Sequence, residues 1–327
     1  MSNNNKLIEI RNVSTHFMTA AGEVKAVDGI SFSLSAGKTM ALVGESGCGK
    51  SVTGLSIMRL IPEPPGKIAE GEIIYQGHDL LKLSEKQMRG MRGNEIAMIF
   101  QEPMSSLNPV YSVGSQIVEA IKLHQNIKGK AAWERAVEML RRVGIADPSR
   151  RARAYPHQLS GGMRQRVMIA IALSCGPALL IADEPTAALD VTIQAQILDL
   201  LKQLQKLNNM SILLISHDLA VVAEYADTVA VMYLGRIVES APARDLYVNP
   251  RHPYTMALLS AIPETDPDRR SRRIKLPGEV PSPLQPPGGC PFHPRCHIAV
   301  DRCKSEAPQL EQKGDDPEHI ASCWVMK

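Results

Sequence analysis

Gly44-Glu45-Ser46-Gly47-Cys48-Gly49-Lys50-Ser51 satisfies the phosphate-loop pattern G-x-x-x-x-G-K-[ST] in full, and its flanks fit. Thr39-Met40-Ala41-Leu42-Val43 before it is a short apolar run that predicts a buried strand. Val52 to Leu60 after it predicts a helix, with Leu55, Met58 and Leu60 apolar and Pro62 and Pro64 closing it. The glycines let consecutive backbone N–H groups turn inward, and the helix N-terminus adds partial positive charge. Lys50 then reaches the β- and γ-phosphates of a nucleotide, and the Ser51 hydroxyl ligates Mg²⁺. Gly44 to Val52 is therefore the expected nucleotide-holding stretch.

The whole chain has room for this. Its 327 residues, 44% apolar and 22% charged, allow one large α/β domain plus a smaller part. A net charge of +3 is too slight to argue for nucleic acid. Met1 to Lys6 lacks the apolar stretch of a signal peptide. The longest apolar run, Val167 to Ala182, is broken by Ser174, Cys175, Gly176 and Pro177 and falls below the ~18 residues of a membrane span. The expectation is a soluble, cytosolic protein whose membrane role, if any, comes through a partner.

Upstream of the loop, Leu7 to Ile10 and Val27 to Leu34 predict an antiparallel sheet, and Phe17 in its first hairpin could stack on adenine or fill the core. A further strand pair, Gly71 to Gly77 with Glu95 to Phe100, brackets a polar helix around Ser84 to Met91. From Pro103 the strands stop, and amphipathic segments at Val113 to Leu123 and Lys130 to Val143 predict a helical insertion over roughly 103–175. Ala178 to Ala182 and Ser211 to Ile215, flanking a helix marked by Ile193, Ile197, Leu201 and Leu204, form a parallel crossover unit. Thr228 to Tyr233 and Arg236 to Glu239 join at Gly235, and Tyr254 to Ala261 is helical. Nine of the 23 prolines then fall between Pro263 and Pro294, beside the basic run Arg269-Arg270-Ser271-Arg272-Arg273, so this stretch reads as a solvated linker.

Two further sites carry chemistry. The strand Ala178 to Ala182 ends in Asp183-Glu184. Asp183 is placed to hold Mg²⁺ through water, and Glu184, pointing differently, to accept a proton from an attacking water. Leu159-Ser160-Gly161-Gly162-Met163-Arg164-Gln165-Arg166 opens a helix with Ser160 as its N-cap and two glycines leaving N–H groups uncovered, a second anion-binding helix end.

The ordered set Gly44 to Ser51, Gln101, Leu159 to Arg166, Ile181 to Glu184, Ala187 to Asp190 and Ser216-His217-Asp218 resembles an ATP-binding-cassette ATPase over roughly residues 7–257. The resemblance implies a P-loop core with an antiparallel β subdomain and a helical subdomain. It implies head-to-tail dimers in which Ser160, Gly161 and Gly162 of one subunit face ATP held by Gly44 to Ser51 of the other. Gln101 would contact Mg²⁺ and the water and sense the membrane partner, Glu184 would be the base, and His217 would polarise the γ-phosphate. Asp190 would couple the two sites, and Phe17 fits the adenine-stacking position. Ala187 where Ser is frequent and Cys48 in place of a commoner Ser remove no ligand.

Narrower motifs point within the family. Gln101-Glu102-Pro103-Met104-Ser105-Ser106-Leu107-Asn108-Pro109, Pro250-Arg251-His252-Pro253-Tyr254-Thr255 and Gly289-Cys290-Pro291-Phe292-His293-Pro294-Arg295-Cys296 resemble the dipeptide/oligopeptide importer ATPases and their nickel-uptake relatives. This implies a cassette domain over 1–257 and a C-terminal extension over 258–327. Cys48 and Cys175 read as packed small residues. Cys290, Cys296, Cys303 and Cys323 have gaps of five, six and nineteen residues. In a cytosolic protein such a cluster favours a metal site over disulfides, and the gaps suit a [4Fe-4S] cluster better than zinc; the resemblance points the same way.

The implied assembly pairs this chain with a second, related ATPase subunit as a heterodimer. It places them beneath two membrane permeases at the cytoplasmic face of the inner or plasma membrane, fed by an extracytoplasmic substrate-binding protein, with no nucleic acid. The rival reading is a soluble cassette protein acting on nucleic acid or the ribosome through a zinc-type cysteine module; an exporter ATPase is a third.

Overall fold

In the computed structural model, residues 6–101, 106–187, 189–262, 273–314 and 316–326 are described. Residues 102–105 of the motif after Gln101, Ala188, and 263–272 with most of the basic run lie outside them. The strands are β1 (Lys6–Thr19), β2 (Gly22–Ser35), β3 (Thr39–Val43), β4 (Gly66–Tyr75), β5 (His78–Asp79), β6 (Ile96–Ile99), β7 (Leu179–Asp183), β8 (Ser211–Ser216), β9 (Thr228–Tyr233), β10 (Arg236–Pro242), β11 (Glu311–Gln312) and β12 (Ile320–Ala321). The chain divides into two compact units, one built mainly from 82–214 and the other from 8–34, 39–81 and 215–327.

In the second unit, β3 pairs in parallel with β9, Met40 opposite Thr228 through Val43 opposite Val231. β9 pairs antiparallel with β10, through a turn that puts Leu234 at φ 44° and Gly235 at φ 78°. β10 pairs in turn with β12 near the C-terminus, Glu239 opposite Ala321. Ala41, Leu42, Val43, Val229, Ala230 and Val231 have no solvent exposure. An unbroken apolar run suits a strand covered on both faces, which a parallel sheet requires. The unit also holds the sheet β2-β1-β4-β5, in which Ile8 lies opposite Tyr75 and Phe17 opposite Gly66.

One expectation fails here. The Gly71–Gly77 segment does not pair with Glu95–Phe100: β4 joins β1 and β5, while β6 pairs in parallel with β7, Ile96 opposite Leu179. The difference lies in patterning. β4 alternates buried Ile73 and Tyr75 with residues left partly open to solvent, the mark of a sheet with one wet face, whereas Ile96, Ala97 and Ile99 are all buried.

The first unit carries β8-β7-β6 and the helices of the insertion. Val113–His124 starts at Ser112, whose hydroxyl accepts the Ser115 N–H, and buries Val113, Ile117 and Ile121. Gly129–Arg142 buries Ala132, Ala136, Met139 and Leu140 on one stripe. The polar helix Glu85–Met91 is fixed by a capping box: Ser84 Oγ accepts the Gln87 N–H, and Gln87 Oε1 accepts the Ser84 N–H at 2.8 Å. Among the described residues no helix is long and apolar enough to cross a membrane.

Candidate functional site: a nucleotide cassette

The phosphate loop lies in the second unit, between β3 and the helix Lys50–Ile57. That helix begins two residues before the expected Val52 and ends at Ile57, ahead of Arg59 at φ 49°. Gly44 and Gly49 are sterically required, since a Cβ on Gly44 would collide with the Met232 carbonyl oxygen and one on Gly49 with that of Ala26. Gly49, at φ 105°, also sits where side chains are strained. The Lys50 ammonium, only 5% exposed, donates to the Gly44 carbonyl at 2.8 Å and the Glu45 carbonyl at 3.0 Å, so it lies inside the curve of the loop. The Gly235 N–H donates to the Cys48 carbonyl at 2.9 Å and ties the loop to the β9–β10 turn. Cys48 is buried, and burial pushes its thiol upward, which fits the expected packing residue. Ser46 and Gly47 are exposed, and Ser51 and Val52 are half-buried on the first helical turn.

The loop has an anchor that sequence reading missed. The Glu45 N–H donates to the Tyr254 hydroxyl at 2.9 Å, and the Glu45 carboxylate takes a two-pronged bond from Arg295, at 2.8 and 3.2 Å. Burial works to lower the Arg295 pKa, and the two-pronged bond to Glu45, with Tyr233 beside it, outweighs it and holds the guanidinium above its usual range. Tyr233, Tyr254, His252 and Phe292 pack ring against ring around this anchor, at centroid distances from 4.8 to 5.5 Å. His252 is kept neutral by burial, its pKa lowered to about 3, and its Nδ1 accepts the Tyr254 N–H. Both partners of Glu45 belong to motifs that mark the family, yet nothing in their spacing points to the loop. Phe17 is half-buried on β1 over Gly66, where a Cβ would meet its ring at 2.8 Å.

In the first unit the expected acid end takes shape. Asp183 is 4% exposed at the end of β7, and Glu184 follows in the left-handed region at φ 45°. For a non-glycine residue this costs about 1–3 kcal/mol and recurs where side chains are aimed for function. Gln101 Nε2 donates to Glu184 Oε2 at 3.0 Å, so two expected catalytic residues, 83 positions apart, share a bond. The helix Gly161–Leu173 begins at Ser160, whose hydroxyl accepts the Met163 N–H at 3.4 Å. Gly162 faces Ile193, whose methyl would lie 3.0 Å from an added Cβ, and Gly161 faces Leu189. Asp190 caps the helix Val191–Asn208, its Oδ1 accepting the Ile193 N–H at 3.0 Å. In the second unit His217 is exposed just past β8, beside Asp218, which accepts the Ala220 N–H at 2.9 Å.

Cys290, Cys296, Cys303 and Cys323 line one cavity with Phe292, His293 and Trp324. Its volume is about 10 Å³, roughly what one water needs. Among the described residues no three His, Cys, Asp or Glu side chains are arranged to hold a metal ion. Burial pushes the Cys290 thiol up to about 11 and raises Cys296 as well. The donor chemistry suits a soft metal, and the space left between the thiols is narrow.

A glycine loop around a buried lysine, a strand ending in paired carboxylates and a serine-capped, glycine-opened helix define a P-loop ATPase of the cassette class. Comparison with known proteins agrees: the ABC transporter family matches residues 27–187, and the oligopeptide/dipeptide transporter C-terminal region matches 238–303. A probable peptide ABC transporter ATP-binding protein of Sinorhizobium fredii is 52% identical over 318 residues, 97% of this chain and 94% of the relative. The dipeptide transport ATP-binding protein DppD of Escherichia coli is 52% identical over 94% of both chains. The oligopeptide transport ATP-binding protein AppD of Bacillus subtilis is 53% identical over 93% of this chain and 92% of its own. Among solved structures, a dimeric ATP-binding cassette in a post-hydrolysis state bound to ADP and Pi superposes with a TM-score of 0.65 at 26% identity, covering 72% of this chain and 99% of that one. The chain belongs to the ATP-binding proteins of oligopeptide/dipeptide ABC transporters, and is an ABC ATPase.

Proposed function

We propose that this chain binds and hydrolyses ATP to drive peptide import through an ABC transporter. The observation that carries the reading is that one chain matches both the cassette and the peptide-transporter C-terminal region. The match to relatives named for peptide, dipeptide and oligopeptide transport over more than nine-tenths of the chain supports it. The soluble nucleic-acid reading has no comparable support, and the near-balanced charge disfavours it. The decisive experiment is co-purification of the tagged chain from membranes, then reconstitution of what comes down. Peptide-dependent stimulation of its ATPase activity is expected; stimulation by nucleic acid or ribosomes, with none by peptide, would reverse the choice.

The division of labour at the site belongs to the same proposal. Gly44 to Val52 hold the nucleotide phosphates and Phe17 the adenine. Ser51, Asp183 and Gln101 attend to Mg²⁺, which when bound neutralises developing charge on the phosphates. Glu184 takes the proton from the attacking water, and Gln101, bonded to it, orients its carboxylate. Charge-assisted bonds from the loop and Lys50 to phosphate contribute about 1.5–3 kcal/mol each. Ser160, Gly161 and Gly162, with the helix end they open, supply donors to ATP on a second subunit; His217 polarises the γ-phosphate and Asp190 couples the sites. Residues 1–257 act as the cassette, with 103–175 as its helical subdomain, and 258–327 as the extension. The second ATPase subunit is a related, separate chain, and the pair docks under two permeases at the cytoplasmic membrane face, with a binding protein delivering peptide.

For the cysteines, [4Fe-4S] stays the preferred occupant over zinc. Four thiols lining one cavity support it, the small volume and lack of a ligand arrangement oppose it, and no step of hydrolysis runs through it. Iron and acid-labile sulfide in anaerobically purified protein would favour the cluster; stoichiometric zinc without either would replace it.

A further inference from the structure

The cysteine-bearing segment reaches the phosphate loop through one side chain. Arg295 ends the turn His293–Arg295, between Cys290 and Cys296 in the chain. That turn is closed on Cys290: its carbonyl accepts the His293 N–H at 3.0 Å and lies 2.9 Å from His293 Nδ1. The Cys290 N–H in turn donates to the Cys303 carbonyl at 2.9 Å, so the strand of chain bearing Arg295 is pinned within the four-cysteine segment. From this platform Arg295, whose side chain is 8% exposed, grips the Glu45 carboxylate with both terminal nitrogens. Glu45 is the residue after Gly44, and its carbonyl is one of the two that hold the Lys50 ammonium. Its N–H is fixed by Tyr254. The residue is thus held at backbone and side chain, and the orientation of its carbonyl, hence the seat of Lys50, follows from both.

We propose that Arg295 and Glu45 are positioning residues for ATP binding: the Arg295–Glu45 pair, backed by Tyr254, sets the curvature of the phosphate loop from the C-terminal segment. Neither side chain touches nucleotide in this scheme. A two-pronged guanidinium–carboxylate bond fixes direction as well as distance, which a lysine cannot do. Breaking the pair leaves the backbone of the loop intact but under-determined at Glu45, and affinity for the phosphates falls. The proposal rests on the loop being the ATP site, so the test separates the two.

The experiment measures fluorescent ATP-analogue binding and steady-state ATPase kinetics for Arg295→Gln, Glu45→Gln and the double variant, with thermal melting as the check on folding. Lys50→Ala and the unaltered chain are the references. Each single variant is expected to raise the dissociation constant and the KM for ATP about three- to thirtyfold, the range of couplings transmitted through a contact network. At saturating ATP, kcat is expected to fall by a smaller factor than kcat/KM, because the damage is to binding. The double variant is expected to be no weaker than the worse single one, because both remove the same bond. Should Arg295→Gln fail to fold, Glu45→Gln reads the same pair from the loop side, and Arg295→Lys should recover only part of the affinity. Affinity within twofold of the unaltered chain in a folded Glu45→Gln protein, or fully additive losses in the double variant, overturns the latch while leaving the ATP site standing. Failure of the unaltered chain to bind the analogue, or no loss in Lys50→Ala, would instead overturn the reading of the loop.

Discussion

The phosphate loop and the Gln101–Glu184 pair, both proposed to serve ATP, are built in opposite styles. The loop is over-determined: two glycines with no room for a Cβ, a buried ammonium bonded to two loop carbonyls, a tie to the β9–β10 turn, and Glu45 held at both ends. The pair instead joins an exposed amide to a half-buried carboxylate on a left-handed backbone, nearer to solvent than the buried lysine of the loop. Binding groups that must present donors to a static triphosphate gain from rigidity. Groups that act on a water only when the site is complete gain from being adjustable. The contrast predicts that damage to the loop appears in affinity and damage to the pair appears in turnover.

The largest effect tests the second half of that claim. Glu184→Gln keeps the size and the chance of a bond to Gln101 but cannot take a proton, so kcat should fall by about 10²–10⁴. ATP affinity should stay within about threefold. Hydrolysis near the original rate would remove Glu184 as the base. Next comes Lys50→Ala, which deletes a buried cation that donates to the loop itself. A loss of ATP affinity of about 10²-fold is expected, from one or two charged hydrogen bonds at about 1.5–3 kcal/mol each. A variant that bound ATP normally but turned over slowly would break the contrast. Gln101→Ala should have a smaller effect, about tenfold in kcat with little change in affinity, because it loosens the carboxylate without removing it.

The two regions were not equally legible in the sequence. The loop announces itself because its constraints are local: glycines, lysine and serine sit in one octapeptide beside a buried strand and a helix start. Its anchor is invisible for the same reason, since Glu45 and Arg295 lie 250 positions apart and only the fold joins them. Strand and helix order survived the step to structure, but boundaries moved: β1 runs on to Thr19, and β2 and β4 begin at Gly22 and Gly66. The pairing of Gly71–Gly77 did not, because alternation tells a one-sided strand from a buried one but does not name its neighbour. Glu184 could be picked out as the residue after Asp183, but not its φ of 45° nor its bond to Gln101. The cysteines show the limit of spacing: four thiols do line one cavity, yet their intervals in the chain do not name an occupant.

Asp190 gives the smallest and most discriminating effect, because the structure assigns it a plain local task. Its carboxylate caps the helix Val191–Asn208 by accepting the Ile193 N–H. Asn caps as well as Asp, whereas Ala does not, and losing a cap costs about 1 kcal/mol. Asp190→Ala should therefore lower stability by about that amount in chemical denaturation, and Asp190→Asn should not. If capping is all the residue does, ATPase activity follows the same order, with the Asn variant close to the unaltered chain. If it also couples two nucleotide sites, Asp190→Asn keeps its stability but loses the cooperative dependence of hydrolysis on ATP concentration. A stable Asn variant with unchanged cooperativity would confine Asp190 to the helix end. It would then belong with the rigid parts of the cassette rather than with the adjustable ones.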